Sequence, residues 1–589
     1  MLLKIDQVNS FDHLGVSVTL RHLAVTEQKL SFIGEVSSEK KFSIRELSLL
    51  LSSASRTWCF SCRSQEDLLI LDGEVPIKDL DIQATLSLCV EKTQLTWIEL
   101  KLHSSILDDV KQWSGYFSGK LSELPNLDLK AVSNRALQSA KIVSISKPDD
   151  EYVAFCKLAT SPEFVVRLAK LRKSGRFPGI TTHKDGFILA SKLVFRWNIL
   201  IVQDSNQRLF VFQGVTSCDA IYIPGLNKLI IVCHITIQDI KQCFEILVRN
   251  PEFLKITTPR SFLGYLVGHT RPYHAHYDSL LALQNLRETG QLLPQDTLFS
   301  KSDEAFIDLG SSLDLPQKHQ RKTKNELNKL AETEQGYLLQ LGSWFYAFCQ
   351  SPDDRYLELA SNVDLSLRQF ASTNSELGCS GALDYLKECQ PLLWVGITGQ
   401  KRRWLEQISG TAHILNTLYE HYPKMGVIFD GWTPPLANSK DHQKEILKDD
   451  KVIRSIIKKL HFRKHGRFGI TAGLPMLEKI RVGMSIDLFI TNYTAGSINV
   501  ARICKKPGVG HMSRRMMIDK DQHIHHQTRI IDPEYIQDQS DPNTPTGYID
   551  YSIPWQAVYN SLVEILVELP IKPNKTLEQL IVPNNYRLD

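Results

Sequence analysis

The sequence predicts an α/β protein: a sheet of parallel strands flanked by helices in the last third of the chain, with a small β-rich domain at the start. Two observations carry this prediction. Between Leu392 and His511, short apolar runs alternate with segments whose apolar residues recur at helical spacing. In the first 125 residues or so, the runs instead alternate with a period of two.

The C-terminal stretch opens with Leu392 to Ile397 as a strand, breaks into the turn Thr398-Gly399-Gln400-Lys401-Arg402-Arg403, and continues as a helix. Such a turn sets backbone N–H groups, a helix N-terminus and three cations around one point, which suits a phosphate. Met425 to Asp430, Phe468 to Thr471 and Ile486 to Thr491 read as the next strands. The last leads through Asn492-Tyr493-Thr494-Ala495-Gly496-Ser497 into a helix-like segment from Ile498 to Cys504, followed by Pro507 to His511. Two small or basic turns at strand ends of one parallel sheet, with Asp430 ending the strand between them, define a crevice suited to a nucleotide. Taken singly, a glycine turn is often only a turn, and Lys401 to Arg403 a solvated surface.

Composition bounds the rest. The 589 residues, 42% hydrophobic and 23% charged, are ordinary globular protein with room for three domains. A net charge of +4 gives no global field for nucleic acid, so none is expected as a partner. Eleven dispersed cysteines fit buried thiols in a reducing compartment. The close pair Cys59 and Cys62 has metal or redox spacing, but no second pair follows at zinc-finger distance. No leader pattern and no apolar run of membrane-spanning length is present, which predicts a cytoplasmic protein touching membranes at most peripherally.

In chain order, Gly15 to Leu20, Leu30 to Gly34, Leu86 to Val90 and Leu95 to Leu100 read as half-buried strands, and the segment around Ser122 to Asn126 as a linker. Strands follow at Asn198 to Val202 and Leu209 to Phe212, separated by turn residues, then at Leu229 to His234, with a helix from Ile237 to Arg249 that could begin a second α/β layer. Ser261 to Val267 is an apolar strand running into Gly268-His269-Thr270-Arg271-Pro272-Tyr273-His274-Ala275-His276-Tyr277-Asp278. Pro272 suits a first helical turn, which places His274 and Asp278 on one face and points His276 elsewhere. Imidazole is the side chain matched to proton transfer near neutral pH. The plainer alternative is a helix start with His274 and Asp278 paired for structure. The spacing of His269, His274 and His276 matches no familiar zinc arrangement, and His523 to His526 reads as a loop, so no metal is expected. Residues 310–390 read as more helical and polar, with the charged run Lys318 to Lys329 as a solvated helix and Tyr337 to Phe348 as an apolar-aromatic segment. Trp555 to Leu569 reads as a closing helix. The domain boundaries this implies are 1–130, 131–385 and 386–589.

Gly399 to Trp404, Val427 to Asp430 and Asp487 to Gly496 together resemble, distantly, the donor-binding half of the bacterial heptosyltransferase family over roughly 120 of 589 residues. The last turn departs from that family's pattern, with Tyr493 where the family has an aspartate. The resemblance implies two facing Rossmann-like domains, the GT-B architecture of glycosyltransferases. It implies metal-independent transfer of a sugar from a nucleotide-diphosphate sugar to a glycan, lipid-linked or protein acceptor, as in bacterial surface polysaccharide or glycoconjugate synthesis, with no cofactor. The leaving diphosphate would then meet Arg271, Gln400, Lys401, Arg402, Arg403, Asp430, Thr494, Ala495, Gly496, Ser497 and His511. A base on the opposite wall would come from His269, His274, His276 and Asp278. The alternatives are a non-catalytic assembly protein with a degenerate Rossmann-like domain, or another nucleotide-using enzyme such as an epimerase or hydrolase. No G-x-G-x-x-G follows a strand, which argues against a dinucleotide dehydrogenase.

Overall fold

The computed structural model describes residues 152–583 apart from 181–184, 205–206, 227, 233–234, 236, 249, 344–353, 375–380, 438, 494, 518–522, 525, 540–543 and 545–547, together with the backbone of strands between residues 2 and 144. In the N-terminal part the strands Val16–Val25, Lys29–Ser38, Leu68–Pro76, Thr57–Gln65, Leu47–Ser52 and Thr85–Val90 pair antiparallel in that order. The run at Leu95 to Leu100, the linker at Ser122 to Asn126 and the side chains of Cys59 and Cys62 lie outside the described residues.

A seven-stranded sheet follows, antiparallel except where Lys141–Ser144 joins Lys228–Ile231 in parallel. Its centre is the hairpin Trp197–Asp204 and Gln207–Gln213, closed where Asp204 stands opposite Gln207. The strand period sorts its side chains between two cores. Ile199 and Ile201 pack with the helix Ile237–Val248, whereas Leu200 and Val202 face the main core.

Two parallel sheets carry the rest of the fold. The first is built from β1 (Ser261–Leu266), β2 (Thr297–Lys301), β3 (Lys318–Lys322) and β4 (Gly336–Gln340), in the order β3-β2-β1-β4. The second is built from β5 (Leu392–Gly396), β6 (Gly426–Asp430), β7 (Arg467–Ile470), β8 (Leu488–Asn492), β9 (Gly508–His511) and β10 (Thr528–Ile530), in the order β7-β6-β5-β8-β9-β10. Every neighbouring pair in both is parallel. The second sheet has the doubly wound order of dinucleotide-binding domains, and the first repeats its opening four positions. In each, the chain reverses direction between the first and fourth strands. Ligands bind in such sheets outside the carboxyl ends of the strands at that switch point.

Two segments differ from their sequence-based expectations. Lys318 to Lys329 is a strand followed by a helix, Lys324–Thr333, that starts at a capping box made by Thr323 and Glu326. Tyr337 lies in β4, all of whose residues are buried. A short continuous apolar run covered on both faces has no period by which to tell strand from helix.

The helix α1 (Asp354–Thr373) bridges the two parallel sheets. Tyr356, Leu359, Ala360, Val363, Asp364, Leu367 and Ala371 form its buried stripe. That stripe shares one core with Leu280 to Leu283 beside the first sheet and with Met476, Ile480, Ile498 and Ile503 beside the second. Among the described residues no helix is long and apolar enough to cross a membrane.

The turn after β1 depends on glycine. Gly268 has φ +129°, and a Cβ there would lie 2.7 Å from the Glu304 carbonyl oxygen. Gly268→Ala should therefore cost about 2 kcal/mol from backbone strain alone. Thermal unfolding of the variant should show a lowered midpoint, and an unchanged midpoint would contradict this geometry.

Candidate active site

β5 ends in the turn that the sequence marked as a phosphate cradle, and the structure gives that turn a different use. The N–H of Gly399 donates to Asp449 Oδ1 at 2.8 Å, and the Gln400 side-chain amide donates to the same oxygen at 3.2 Å. Trp432 N–H donates to the other oxygen at 2.6 Å. A Cβ at Gly399 would come within 2.7 Å of this carboxylate, so the glycine makes room for an internal anion. Burial raises the Asp449 carboxyl to about 6 against the pull of these donors.

Arg403 is likewise committed. Its backbone N–H and its guanidinium both bind Asp550, the latter at 2.6 Å. Asp430 also has internal partners: it is 4% exposed, pairs with the fully buried Lys479 at 2.6 Å, and accepts from Thr471 Oγ1 at 2.8 Å.

Lys401 and Arg402 are half-buried beside Arg403. Arg402 has φ +55°, and its carbonyl accepts from Asn492 Nδ2 at 3.2 Å, which ties the turn to the end of β8. Asn492 also reaches the Tyr551 hydroxyl, which contacts His511 Nδ1; both distances are 2.8 Å. His511 is buried, and burial lowers it to about 4, so it is a neutral strut for this corner. Beyond β8, Gly496 is exposed and Ser497 is buried, within a short turn that leads into a π-helix at Ile498–Ile503. Thr494 and the Ala495 side chain lie outside the described residues.

The opposite wall comes from the switch point of the first sheet. Arg271 takes the extended N-cap position, Pro272 opens the helix, and the helix widens to a π turn at Ala275–Ser279 before continuing as Leu280–Glu288. His274 Nδ1 lies 2.9 Å from Asp278 Oδ2. A carboxylate partner assigns the proton to Nδ1 and leaves Nε2 as the basic nitrogen. Burial, with Arg271 and Arg196, lowers His274 to about 3, while the Asp278 carboxylate pulls the other way. The ring is therefore neutral throughout the physiological range. His269 has the opposite polarity: its Nδ1 accepts from Arg271 N–H at 3.0 Å, so Nε2 carries its proton. The two imidazoles lie 4.7 Å apart, centroid to centroid. His276 is not brought to this wall; its ring is fully buried, and among the described residues neither ring nitrogen has a partner.

Aromatic rings join the walls. Tyr273 stacks on Tyr277 at 4.4 Å, and Tyr273 meets His523 at 5.0 Å. His523 in turn meets Tyr493, just beyond β8, at 5.3 Å. Burial and the Arg402 charge lower His523 to about 3. Partial burial brings Lys401 down to about 8, helped by the charges of Arg402 from the second sheet and exposed Arg271 from the first. The Lys401 ammonium lies 4.5 Å from the Tyr548 ring centre, and among the described residues no carboxylate pairs with Lys401 or Arg271. Nor does any group of three His, Cys, Asp or Glu side chains among the described residues gather as a metal site.

Sequence alone does not single out Tyr273, Tyr277 or Asp449, and it reads His523 as a loop residue and Tyr493 as a departure from a family pattern. The four-residue spacing of Tyr273 and Tyr277 is the available signal, as neighbours on one helix face.

Two outcomes test these assignments. Lys401 carries its ammonium below about pH 8 and loses it above; an NMR titration of labelled lysine side chains should show one signal moving near pH 8, and that signal should be missing from Lys401→Met. Asp430→Ala strands the buried Lys479 charge and should cost about 3 to 5 kcal/mol in unfolding experiments.

No family profile and no curated protein sequence matches the chain. Among solved structures, the chain is similar to the ADP-heptose LPS heptosyltransferase II of E. coli, with 13% identity and a TM-score of 0.32, over 52% of this chain and 98% of that one. It is similar also to a glycosyl transferase family 9 protein of Veillonella parvula, with 12% identity and a TM-score of 0.32, over 53% of this chain and all of that one.

Proposed function

We propose that the protein is a glycosyltransferase of GT-B-like architecture that moves a sugar from a nucleotide-diphosphate sugar to the hydroxyl of a glycan, lipid-linked or protein acceptor. The observation that carries this reading is the convergence of Lys401, Arg402 and Arg271 from the switch points of two parallel sheets, beside a histidine oriented by a carboxylate. Cations crowded closely enough to help lower the Lys401 ammonium are stabilised by a polyanion between them.

In this reading His274 Nε2 takes the acceptor hydroxyl proton as the acceptor oxygen attacks the anomeric carbon. The bond from that carbon to the diphosphate oxygen breaks, and the nucleoside diphosphate leaves with the electron pair. Lys401, Arg402 and Arg271 receive the charge that develops on it, the role a divalent ion plays in other transferases. Asp278 holds the His274 ring and balances the imidazolium formed. His269 packs beside it, with its Nε2 buried and without a partner among the described residues. We place the reaction in the cytoplasm, in surface polysaccharide or glycoconjugate synthesis, where activated sugars are the donors.

A panel of nucleotide sugars tests this by calorimetry and thermal shift. A donor at a hundredfold its dissociation constant should add about 2.7 kcal/mol to stability. Lys401→Ala should weaken donor binding about tenfold, a loss near 1.4 kcal/mol. His274→Ala should leave that affinity in place and lower kcat by about a hundredfold or more. Absence of binding by every donor in the panel would overturn the reading.

A further inference from the structure

Arg502 belongs to the π-helix behind the β8 turn, yet its side chain serves the other wall. It is wholly buried. Its Nε donates to Asp364 Oδ2 on α1 at 3.1 Å, its Nη1 donates to the His276 carbonyl at 3.2 Å, and its guanidinium lies 4.3 Å from the Tyr277 ring centre. His276 and Tyr277 are the middle residues of the span from His274 to Asp278, inside the π turn. A π turn is a widened, uncommon winding that persists where neighbours hold its backbone. Here the neighbour is a cation fixed by a buried carboxylate, with its flat face on the next aromatic ring. The buried His276 imidazole, with no partner for either nitrogen among the described residues, contributes volume; the carbonyl of the same residue is the functional contact.

We propose that Arg502, anchored by Asp364, is a positioning residue for the His274–Asp278 pair, holding the π turn that keeps the two side chains in register. The inference rests on the reading of His274 as the base. It means that the lobe proposed to hold the donor also sets the geometry of the base on the acceptor side.

The test uses the full chain with 15N-labelled histidine, reading the His274 ring nitrogens by long-range proton–nitrogen correlation, with a His274→Gln spectrum for assignment. In the wild type His274 should show the form protonated at Nδ1. The double variant Arg502→Met with Asp364→Leu removes both buried charges together, so neither is stranded. In it the His274 signals should move toward the other tautomer, kcat should fall by about tenfold or more, and the donor KM should change by less than about twofold. Asp364→Asn loosens the same anchor by an independent route and should shift the ring signals in the same direction, so it decides the matter if the double variant does not fold. His276→Leu keeps the carbonyl and should leave the His274 signals unchanged. Unchanged signals in a folded Arg502 or Asp364 variant would overturn the proposal and reduce Arg502 to packing. A wild-type protein that transfers no sugar would overturn the reading of the reaction, while the ring signals would still decide the role of Arg502.

Discussion

The arrangement of the molecule depends on the burial of one charge pair. Arg502 and Asp364 sit at 0% and 1% exposure beside a core of aliphatic and aromatic side chains. Removing two ions from water costs several kcal/mol for each, and their attraction offsets that only when geometry and further hydrogen bonds are good. The further contacts come from the His276 carbonyl and the Tyr277 ring. The pair therefore fits one relative placement of α1, the π turn at Ala275–Ser279 and the π-helix at Ile498–Ile503. An apolar interface of the same area would tolerate sliding; this one fixes register.

With that register fixed, two sheets of matching strand order bring their switch points together, and the local field follows. Arg271, Lys401 and Arg402 approach from both sides, and the pull of carboxylates is directed elsewhere: Asp550 neutralises Arg403, Asp430 neutralises Lys479, and Asp449 is taken up by backbone N–H groups. Acidic side chains are thus used as internal fasteners around the ends of β5 and β6. The two histidines are set differently: His269 Nδ1 meets a backbone donor and His274 Nδ1 a carboxylate, so the neighbouring rings are held in opposite tautomers.

Much of this was legible before any coordinates. The strands at Leu392, Gly426, Arg467 and Leu488 begin within about two residues of where apolar runs placed them, because buried parallel strands leave near-continuous hydrophobic runs. The His274–Asp278 contact followed from helical spacing, since four residues of separation survive even in a widened turn. What sequence could not supply were the partners of charges. Lys401, Arg402 and Arg403 are three adjacent cations with the same local pattern, and nothing near them in the chain announces that the distant Asp550 holds Arg403. Gly399 advertised a cradle for an anion, and the anion proved to be Asp449, fifty residues along the chain. Asp364 offered the best unread clue, a carboxylate in the apolar stripe of a helix, which demands a buried cation somewhere. Which cation was a matter of tertiary structure alone.

The clamp of Arg403 by Asp550 spans 147 positions of chain, and Trp404 is held by the Ile553 carbonyl over a similar interval. During synthesis the corner bearing Lys401 and Arg402 emerges from the ribosome long before the residues that secure it. The corner is thus locked only once the chain has been made through Ile553, so its geometry belongs to the assembled domain and not to the local turn.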